Sequence, residues 1–184
     1  MSFGFSLNAV KNPFTITLLQ KQNEVQPMTS RQQLIIEIIR SAITSFNEKE
    51  TYLIESDLSE RCICAKFAFY LKKAIQDSEF RDFEVDVEYN RGYDGVDRSP
   101  KRIDDRPITV DLIVHKRGNR EFGGFQNLIC IEMKKSTDRR GTQKDEQRLQ
   151  KMVDWEHGYL YEIGFMIVIN MKRHALELKE PFVR

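Results

Sequence analysis

The chain has 184 residues, the length of one ordinary domain and enough to bury a core without disulfides or structural metals. Its 29 lysines and arginines nearly balance 28 aspartates and glutamates, so the net charge of +1 carries no overall signature of a nucleic-acid or membrane partner. With 40% hydrophobic residues, the composition excludes whole-chain disorder, and 9 glycines and 3 cysteines exclude a collagen-like chain and a disulfide scaffold.

The cysteines and the apolar runs indicate a cytoplasmic protein without a membrane span. Cys62, Cys64 and Cys130 are an odd set without framework spacing, which is typical of reduced intracellular thiols. Cys62 and Cys64 form C-x-C, and no second pair completes a zinc site, so we interpret all three as packing residues. No run of about 18 apolar residues occurs, and the first residues lack the basic and apolar regions of a signal peptide.

The first predicted helix follows a loosely ordered arm. Residues 1–29 show no sustained hydrophobic period. Ser30 and Gln33 fit a capping box, and apolar residues then recur at helical spacing as far as Phe46. The folded domain is therefore predicted to span residues 30–184.

A second helix is predicted from about Asp57 to Ile75, capped by Ser56 or Asp57. Its buried stripe includes Cys64, and Glu60 lies one turn earlier on the same face. Carboxylates seldom enter a core unpaired, because desolvating the charge is costly. The alternative is that Glu60 simply lies at the helix start, where the dipole favours acids and the face is still wet. The helix alone favours that alternative.

Four strand signals and a third helix complete the predicted order. The strands are expected at residues 83–89, 108–114, 128–134 and 163–169, and the helix at residues 143–157. The second and third strands are nearly continuous apolar runs, which suit strands covered on both faces, and a glycine-containing loop between them predicts a hairpin. The order of helix, helix, three strands, helix and strand predicts one mixed α/β domain.

Two acidic residues, Asp111 and Glu132, interrupt the buried strands. If these strands pair antiparallel around a tip near Glu121 and Phe122, the two acids lie opposite each other, with Cβ atoms about 4.5–5.5 Å apart. Like charges at this distance are destabilising and raise one pKa, whereas a divalent cation between them removes the repulsion. Lys134 returns to the same face two residues later. Carboxylates suit Mg²⁺, and the ammonium suits orienting an attacking water or stabilising charge on a phosphoryl oxygen.

The combination of Asp111, Glu132 and Lys134 on predicted strands is a more specific signal than the Glu-x-Lys spacing alone. Glu-x-Lys alone is expected roughly once by chance in a chain of this length, and a second copy occurs at Glu177-Leu178-Lys179. No acid-bearing buried strand precedes that copy, so we give it no role. The first copy, in contrast, follows an acid-bearing helix, an acid-bearing strand and a hairpin loop.

At these residues the sequence resembles the PD-(D/E)XK nuclease superfamily, which has the restriction-endonuclease-like fold, and in particular its small uncharacterised bacterial members. The likeness lies in Ile108–Asp111, in Glu132-Met133-Lys134 and in the helix with Glu60, and it covers about residues 52–170. Two features depart from the family. Val110 stands where a proline is frequent, and no separate DNA-recognition domain is visible.

The resemblance implies a central mixed β-sheet flanked by helices, a Mg²⁺ or Mn²⁺ cofactor and hydrolysis of phosphodiester bonds. It implies Asp111 and Glu132 as metal ligands, Lys134 as the catalytic lysine and Glu60 as the helix-borne acid. Glu60 would be either a ligand itself or a residue that supports the ligands. The resemblance therefore shifts our interpretation of Glu60 towards function.

Basic residues that follow the Glu-x-Lys strand are candidates for holding substrate phosphates. They are Lys135, Arg139, Arg140 and Lys144, and a solvated basic turn explains them equally well. Glu88 is a further candidate acid, but we interpret it as an ordinary solvated residue on the polar face of its strand.

The sequence thus predicts a cytoplasmic, metal-dependent nuclease that acts on nucleic acid, DNA rather than RNA, with no membrane partner and a homodimer left open. Two alternatives remain. One is a catalytically inactive nuclease-fold module that binds nucleic acid. The other is an interaction subunit in which Asp111 and Glu132 pair with arginine or lysine, and salt bridges to both carboxylates with no space for a cation would favour it.

Overall fold

The computed structural model describes residues 27–91, 100–117, 126–138, 141–154 and 159–183. Four helices lie within these ranges: α1 Ser30–Lys49, α2 Thr51–Glu55, α3 Glu60–Gln76 and α4 Thr142–Val153. The strands are β1 Glu84–Val87, β2 Arg102–Ile103, β3 Arg106–Pro107, β4 Leu112–His115, β5 Asn127–Lys135, β6 Ile163–Asn170, β7 Ala175–Leu178 and β8 Phe182–Val183. No helix in the described part of the chain is long and apolar enough to cross a membrane.

Six of the strands form one mixed sheet. Their order is β1-β4-β5-β6-β7, and β8 pairs with the first residues of β6. Only β5 and β6 run parallel, while the other pairs of this sheet are antiparallel. Parallel neighbours need a crossover connection, which α4 provides. The predicted α/β class is confirmed, as is a mixed sheet flanked by helices.

Helices cover both faces of the sheet. On one face α1 and α3 pack over a core that includes four residues of β5, namely Leu128, Ile129, Ile131 and Met133. On the other face α4 packs over Cys130 of the same strand. Because side chains alternate along a strand, Glu132 and Lys134 project towards the α4 side.

The N-terminus of α1 is capped one residue earlier than predicted. Thr29, not Ser30, is the N-cap: its hydroxyl accepts a hydrogen bond from the Gln32 N–H, and the Gln32 side chain accepts one from the Thr29 N–H. Threonine and serine are similar N-caps, and each is followed by a glutamine three residues later. The sequence therefore allows either residue to cap the helix. In the fold, the first turn is held by Arg31, which donates to the buried Glu162 at 2.7 Å.

The start of α3 also differs from the prediction. Ser59 caps this helix by accepting from the Cys62 N–H at 3.2 Å. Asp57 lies in the preceding turn with a φ of 52°, and its carboxylate pairs with Lys135 at 2.6 Å. Glu60 is therefore the first residue of the helix, where the dipole favours a carboxylate.

The strands around Asp111 and at the C-terminus differ from the prediction as well. The strand expected at 108–114 begins only at Leu112, because Pro107 belongs to the separate β2–β3 hairpin. The tail, for which the sequence indicated no structure, supplies β7 and β8. The predicted strand at 128–134 is extended by one residue at each end.

The buried side chain of Lys101 holds the segment that follows β1 by hydrogen bonds to its backbone. The Lys101 side chain is 3% exposed, and its Nζ donates to the carbonyl oxygens of Arg91 at 2.7 Å and Tyr89 at 3.4 Å. The ammonium also lies 4.6 Å from the centre of the Tyr89 ring. Burial lowers the pKa of Lys101 to about 8, although the nearby charge of Asp86 opposes this shift.

This depressed pKa predicts a rise in stability at alkaline pH. The unfolded chain returns the Lys101 pKa towards 10.5 and so binds more protons than the folded state between about pH 8 and that value. The unfolding free energy should therefore increase across this window, by up to about 3 kcal/mol from this residue. Urea denaturation of the protein and of Lys101→Met at several pH values measures the effect.

The methionine variant should lose this rise, because it has no amine to titrate. Lys73→Met, which removes an exposed lysine of α3, should keep it. Equal pH dependence in the protein and in Lys101→Met would show that Lys101 does not release its proton in this window.

Candidate active site

Asp111 and Glu132 occupy neighbouring positions on adjacent segments of the sheet. Leu112 of β4 lies opposite Ile131 of β5, so the next positions in the same register are Asp111 and Glu132. This is the pairing that the hairpin argument predicts. Asp111 itself lies directly before β4, and its Oδ2 accepts a hydrogen bond from the Met133 N–H at 2.7 Å. That bond fixes the Asp111 carboxylate against β5.

The two carboxyl groups influence each other's pKa values, and Glu132 has little access to water. Glu132 is 3% exposed, whereas Asp111 is half-buried. Burial raises the pKa of Glu132 well above its ordinary value, and the charge of Asp111 raises it further. Burial likewise raises the pKa of Asp111, although hydrogen bonds from Met133 and Glu132 oppose the shift. Such a pair destabilises a fold unless a proton or a cation compensates it.

Arg148 of α4 provides a positive charge at this pair. Its Nη1 donates to Glu132 Oε1 and, at 3.1 Å, to the carbonyl oxygen of Thr109. Its Nη2 donates to Asp145 Oδ1 at 3.2 Å. Within the described ranges, no cationic side chain forms an ion pair with Asp111. Among the described side chains, Glu132 therefore has a counter-charge and Asp111 has none.

The sequence reasoning missed both Arg148 and Asp145. They belong to the inward face of α4, because Asp145, Arg148, Leu149 and Met152 follow the i, i+3, i+4, i+7 spacing and the last two are buried. A charged pair that continues a buried stripe is the signal from which they could have been found. The predicted helix covered these positions, but only its apolar residues were considered.

Lys134 lies among carboxylates from three different segments. Its Nζ is 3.4 Å from Glu60 Oε2, 3.4 Å from Asp138 Oδ2 and 3.9 Å from Asp145 Oδ2. Burial works against the charge of this ammonium, but the three carboxylates outweigh it and raise the Lys134 pKa above its ordinary value. Lys134 is consequently a cation at neutral pH and donates hydrogen bonds rather than accepting a proton.

Gly141 makes space for the Lys134 side chain at the start of α4. A Cβ atom at this glycine would lie 2.9 Å from Lys134 Cε and 3.3 Å from its Nζ. It would also lie 3.4 Å from Asp145 Oδ2. A side chain at residue 141 would therefore displace the end of the Lys134 side chain from its present position.

Glu60 links α3 to the end of β5. Its Oε1 accepts a hydrogen bond from the Lys135 N–H at 2.8 Å, while its Oε2 contacts the Lys134 ammonium. The side chain is neither enclosed in the core nor fully hydrated, since about a third of it, 32%, is exposed. Glu60 thus holds the strand end that carries Lys134, although it is not in direct contact with the Asp111–Glu132 pair.

An open cleft of about 610 Å³ lies beside the candidate site, and Glu60 and Asp111 are among the residues that line it. Glu88 lines the cleft too. The sequence predicts it as a solvated residue on the polar face of a strand, but β1 ends at Val87, so Glu88 lies directly after the strand. Its φ is 50°, a left-handed conformation that is uncommon for glutamate. Its N–H donates to the Asp111 carbonyl oxygen at 2.9 Å, and its carboxylate accepts from Arg61 at 2.7 Å. Glu88 therefore helps to hold the backbone of Asp111.

The charges of this site do not balance. Five carboxyl groups lie together, on Glu60, Asp111, Glu132, Asp138 and Asp145, and burial together with the charges of neighbouring carboxylates raises the pKa values of Asp111, Glu132 and Asp145. The two side-chain cations that pair with them in the described ranges are Lys134 and Arg148. If every group were ionised, 2 minus 5 would leave a charge of −3. A divalent cation would reduce this excess of negative charge.

The Asp111–Glu132 pair offers oxygen ligands to a cation, but from only two side chains. No group of three or more histidine, cysteine, aspartate or glutamate side chains is arranged as a metal site among the residues described. Mg²⁺ keeps several waters and is commonly bound through one or two carboxylates, so a pair of this kind suits it. Asp111 and Glu132 therefore fit a divalent cation by ligand chemistry and charge.

The predicted phosphate-binding residues lie in different situations. The Lys135 side chain pairs with Asp57, which reduces its charge at the cleft. Lys144 is exposed on the first turn of α4. Arg139 and Arg140 lie outside the described residues.

Comparison of the chain with protein-family models, with curated proteins and with solved structures finds no match.

Proposed function

We propose that this protein is a divalent-cation-dependent nuclease with a restriction-endonuclease-like fold. The observation that carries the proposal is the juxtaposition of two carboxyl groups, the half-buried Asp111 and the buried Glu132, with Lys134 two residues further along the same face. Folding alone gives no reason for such a juxtaposition, because each desolvated carboxylate costs several kcal/mol unless it is compensated. Oxygen ligands for a divalent cation, together with an ammonium, suit a site that acts on phosphodiesters.

The residues of the site would divide the work as follows. Asp111 and Glu132 would hold Mg²⁺ or Mn²⁺, which when bound supplies Lewis acidity and lowers the pKa of water. Lys134 would donate a hydrogen bond to the attacking water or to a phosphoryl oxygen as negative charge develops. Glu60 would position Lys134 by binding its ammonium and the adjacent backbone N–H.

The substrate that we propose is nucleic acid, with DNA favoured over RNA, in a cytoplasmic setting. The cleft at Asp111 is open, and its lining combines charged residues such as Glu60 and Lys135 with apolar ones such as Val87. Lys144 is the exposed cation of α4 near this region that could contact a phosphate.

One observation favours a second candidate function, an interaction subunit without catalysis. Arg148 already compensates Glu132, which is the kind of internal ion pair that a purely structural role would use. That candidate leaves Asp111 without a counter-charge in the described ranges, and this is why we prefer the nuclease.

Substitutions that keep the shape of each residue test the assignment. Asp111→Asn, Glu132→Gln and Lys134→Met should each reduce Mg²⁺-dependent cleavage by about 100-fold or more, because each removes a charge needed in the transition state. The assay should offer single-stranded, double-stranded and branched substrates, with Mg²⁺ and with Mn²⁺, and circular dichroism should confirm folding.

The chain contains a matched control for these variants. Glu177 and Lys179 have the same spacing, but they lie at β7 and pair with Arg173 and Glu146 on the surface. The double variant Glu177→Gln, Lys179→Met should cleave like the unaltered protein. Full activity in Lys134→Met would contradict the role given to that lysine, and no cleavage of any substrate by the unaltered protein would favour the interaction subunit.

The close approach of Gly141 to Lys134 gives an independent test. Gly141→Ala should displace the end of the lysine side chain, because the new Cβ would meet Cε at 2.9 Å. The backbone can accept alanine here, since the φ of Gly141 is −89°. We expect an unchanged melting temperature to within a few degrees and a clear loss of cleavage rate. Unaltered cleavage would show that the position of the ammonium is unimportant.

A further inference from the structure

The Arg148 guanidinium occupies the position at which a cation would approach the carboxyl pair from the α4 side. It contacts Glu132 Oε1 through Nη1, and Glu132 is the more enclosed member of the pair. It remains 28% exposed, so the side chain is not confined to a closed core. The pair thus already has one positive charge, delivered by a helix rather than by solvent.

Two further contacts hold Arg148 independently of Glu132. Nη1 also donates to the carbonyl oxygen of Thr109 at 3.1 Å, and Nη2 donates to Asp145 Oδ1 at 3.2 Å. Thr109 lies two residues before Asp111, and Asp145 lies on the same helix as Arg148. Loss of the Glu132 contact would therefore leave the guanidinium anchored beside the site.

A cation bound by Asp111 and Glu132 would meet this guanidinium as a like charge. Arg148 binds Glu132 through Oε1 and the ion would bind the same carboxylate, where two cations within a few ångströms repel strongly because Glu132 is buried. Arg148 and a divalent ion are therefore competitors for Glu132.

We propose that Arg148 is the resident counter-cation of the carboxyl pair, and that a divalent cation must displace it from Glu132, so that Arg148 sets the metal affinity of the site. This inference rests on the proposed function, because it requires that Asp111 and Glu132 bind metal. The displaced guanidinium stays on Thr109 and Asp145. The ion pair compensates the charge of Glu132 in the metal-free protein, and the site is loaded only when the metal concentration is sufficient.

Direct measurement of metal binding tests this proposal without reference to cleavage. Titration calorimetry with Mg²⁺, and electron paramagnetic resonance with Mn²⁺, should be carried out on the full chain at about pH 8.5, where protons compete least for the raised carboxyl groups. Arg148→Gln should bind either ion about tenfold more tightly or better, because the competing charge is gone. Arg148→Lys keeps the charge and should bind close to the unaltered protein.

The sign of the change separates this role from a structural one. Loss of a residue that only stabilises the fold leaves metal affinity unchanged or lowers it, so either result with Arg148→Gln would overturn the proposal. Lys151→Gln is the matched control, because it removes another paired cation of α4, the partner of Asp104, one turn away. It should leave metal affinity unaltered, and circular dichroism should confirm that both variants are folded.

Two more variants distinguish failure of this proposal from failure of the proposed function. Asp111→Asn and Glu132→Gln should lose metal binding if the carboxyl pair is the metal site. If they bind as tightly as the unaltered protein, the proposed site is wrong and the role of Arg148 fails with it. If they lose binding while Arg148→Gln binds like the unaltered protein, the site stands and only the competition is wrong.

Discussion

The contact between the carboxyl groups of Asp111 and Glu132 is the constraint on which this structure depends most. Burial of both groups raises their pKa values, and only Glu132 has a cationic partner in the described part of the chain. The surrounding elements can be understood as supports for that contact. The Met133 N–H and the backbone around Glu88 hold Asp111, while the β5 ladder holds Glu132.

The helices α3 and α4 cover opposite faces of the sheet, and both contribute charged residues to the site around Asp111, Glu132 and Lys134. Glu60, at the first position of α3, binds the end of β5 and the Lys134 ammonium. From the other face, α4 contributes Asp145 and Arg148, and Gly141 before it leaves space for Lys134. A fold optimised only for stability would place apolar residues here, so the cost of this charged cluster is the physical reason to look for a function.

The parts of this arrangement that follow from local patterns could be predicted from the sequence. Alternation in β5 and the hairpin before it placed Asp111 opposite Glu132 with Lys134 on the same face, because strand register follows from the apolar pattern. The order of helices and strands followed from periodicity. The ends of the helices were harder to predict from the sequence. Thr29 and Ser30 are both suitable N-caps for α1. In the turn before α3, Asp57 forms an ion pair with Lys135, which is distant in the sequence. Arg148 could have been noticed because it continues the buried stripe of α4, but its partner and the role of Gly141 could not be assigned, because both come from contacts between α4 and β5.

The central claim is that the carboxyl pair binds a divalent cation, and crystallography with Mn²⁺ tests it most directly. The account predicts an anomalous scattering peak within coordination distance of carboxylate oxygens from both Asp111 and Glu132, and an Arg148 side chain that has left Glu132 but still contacts Thr109 and Asp145. Crystals grown with saturating Mn²⁺ that show no peak at the pair, and an intact ion pair between Arg148 and Glu132, would contradict it.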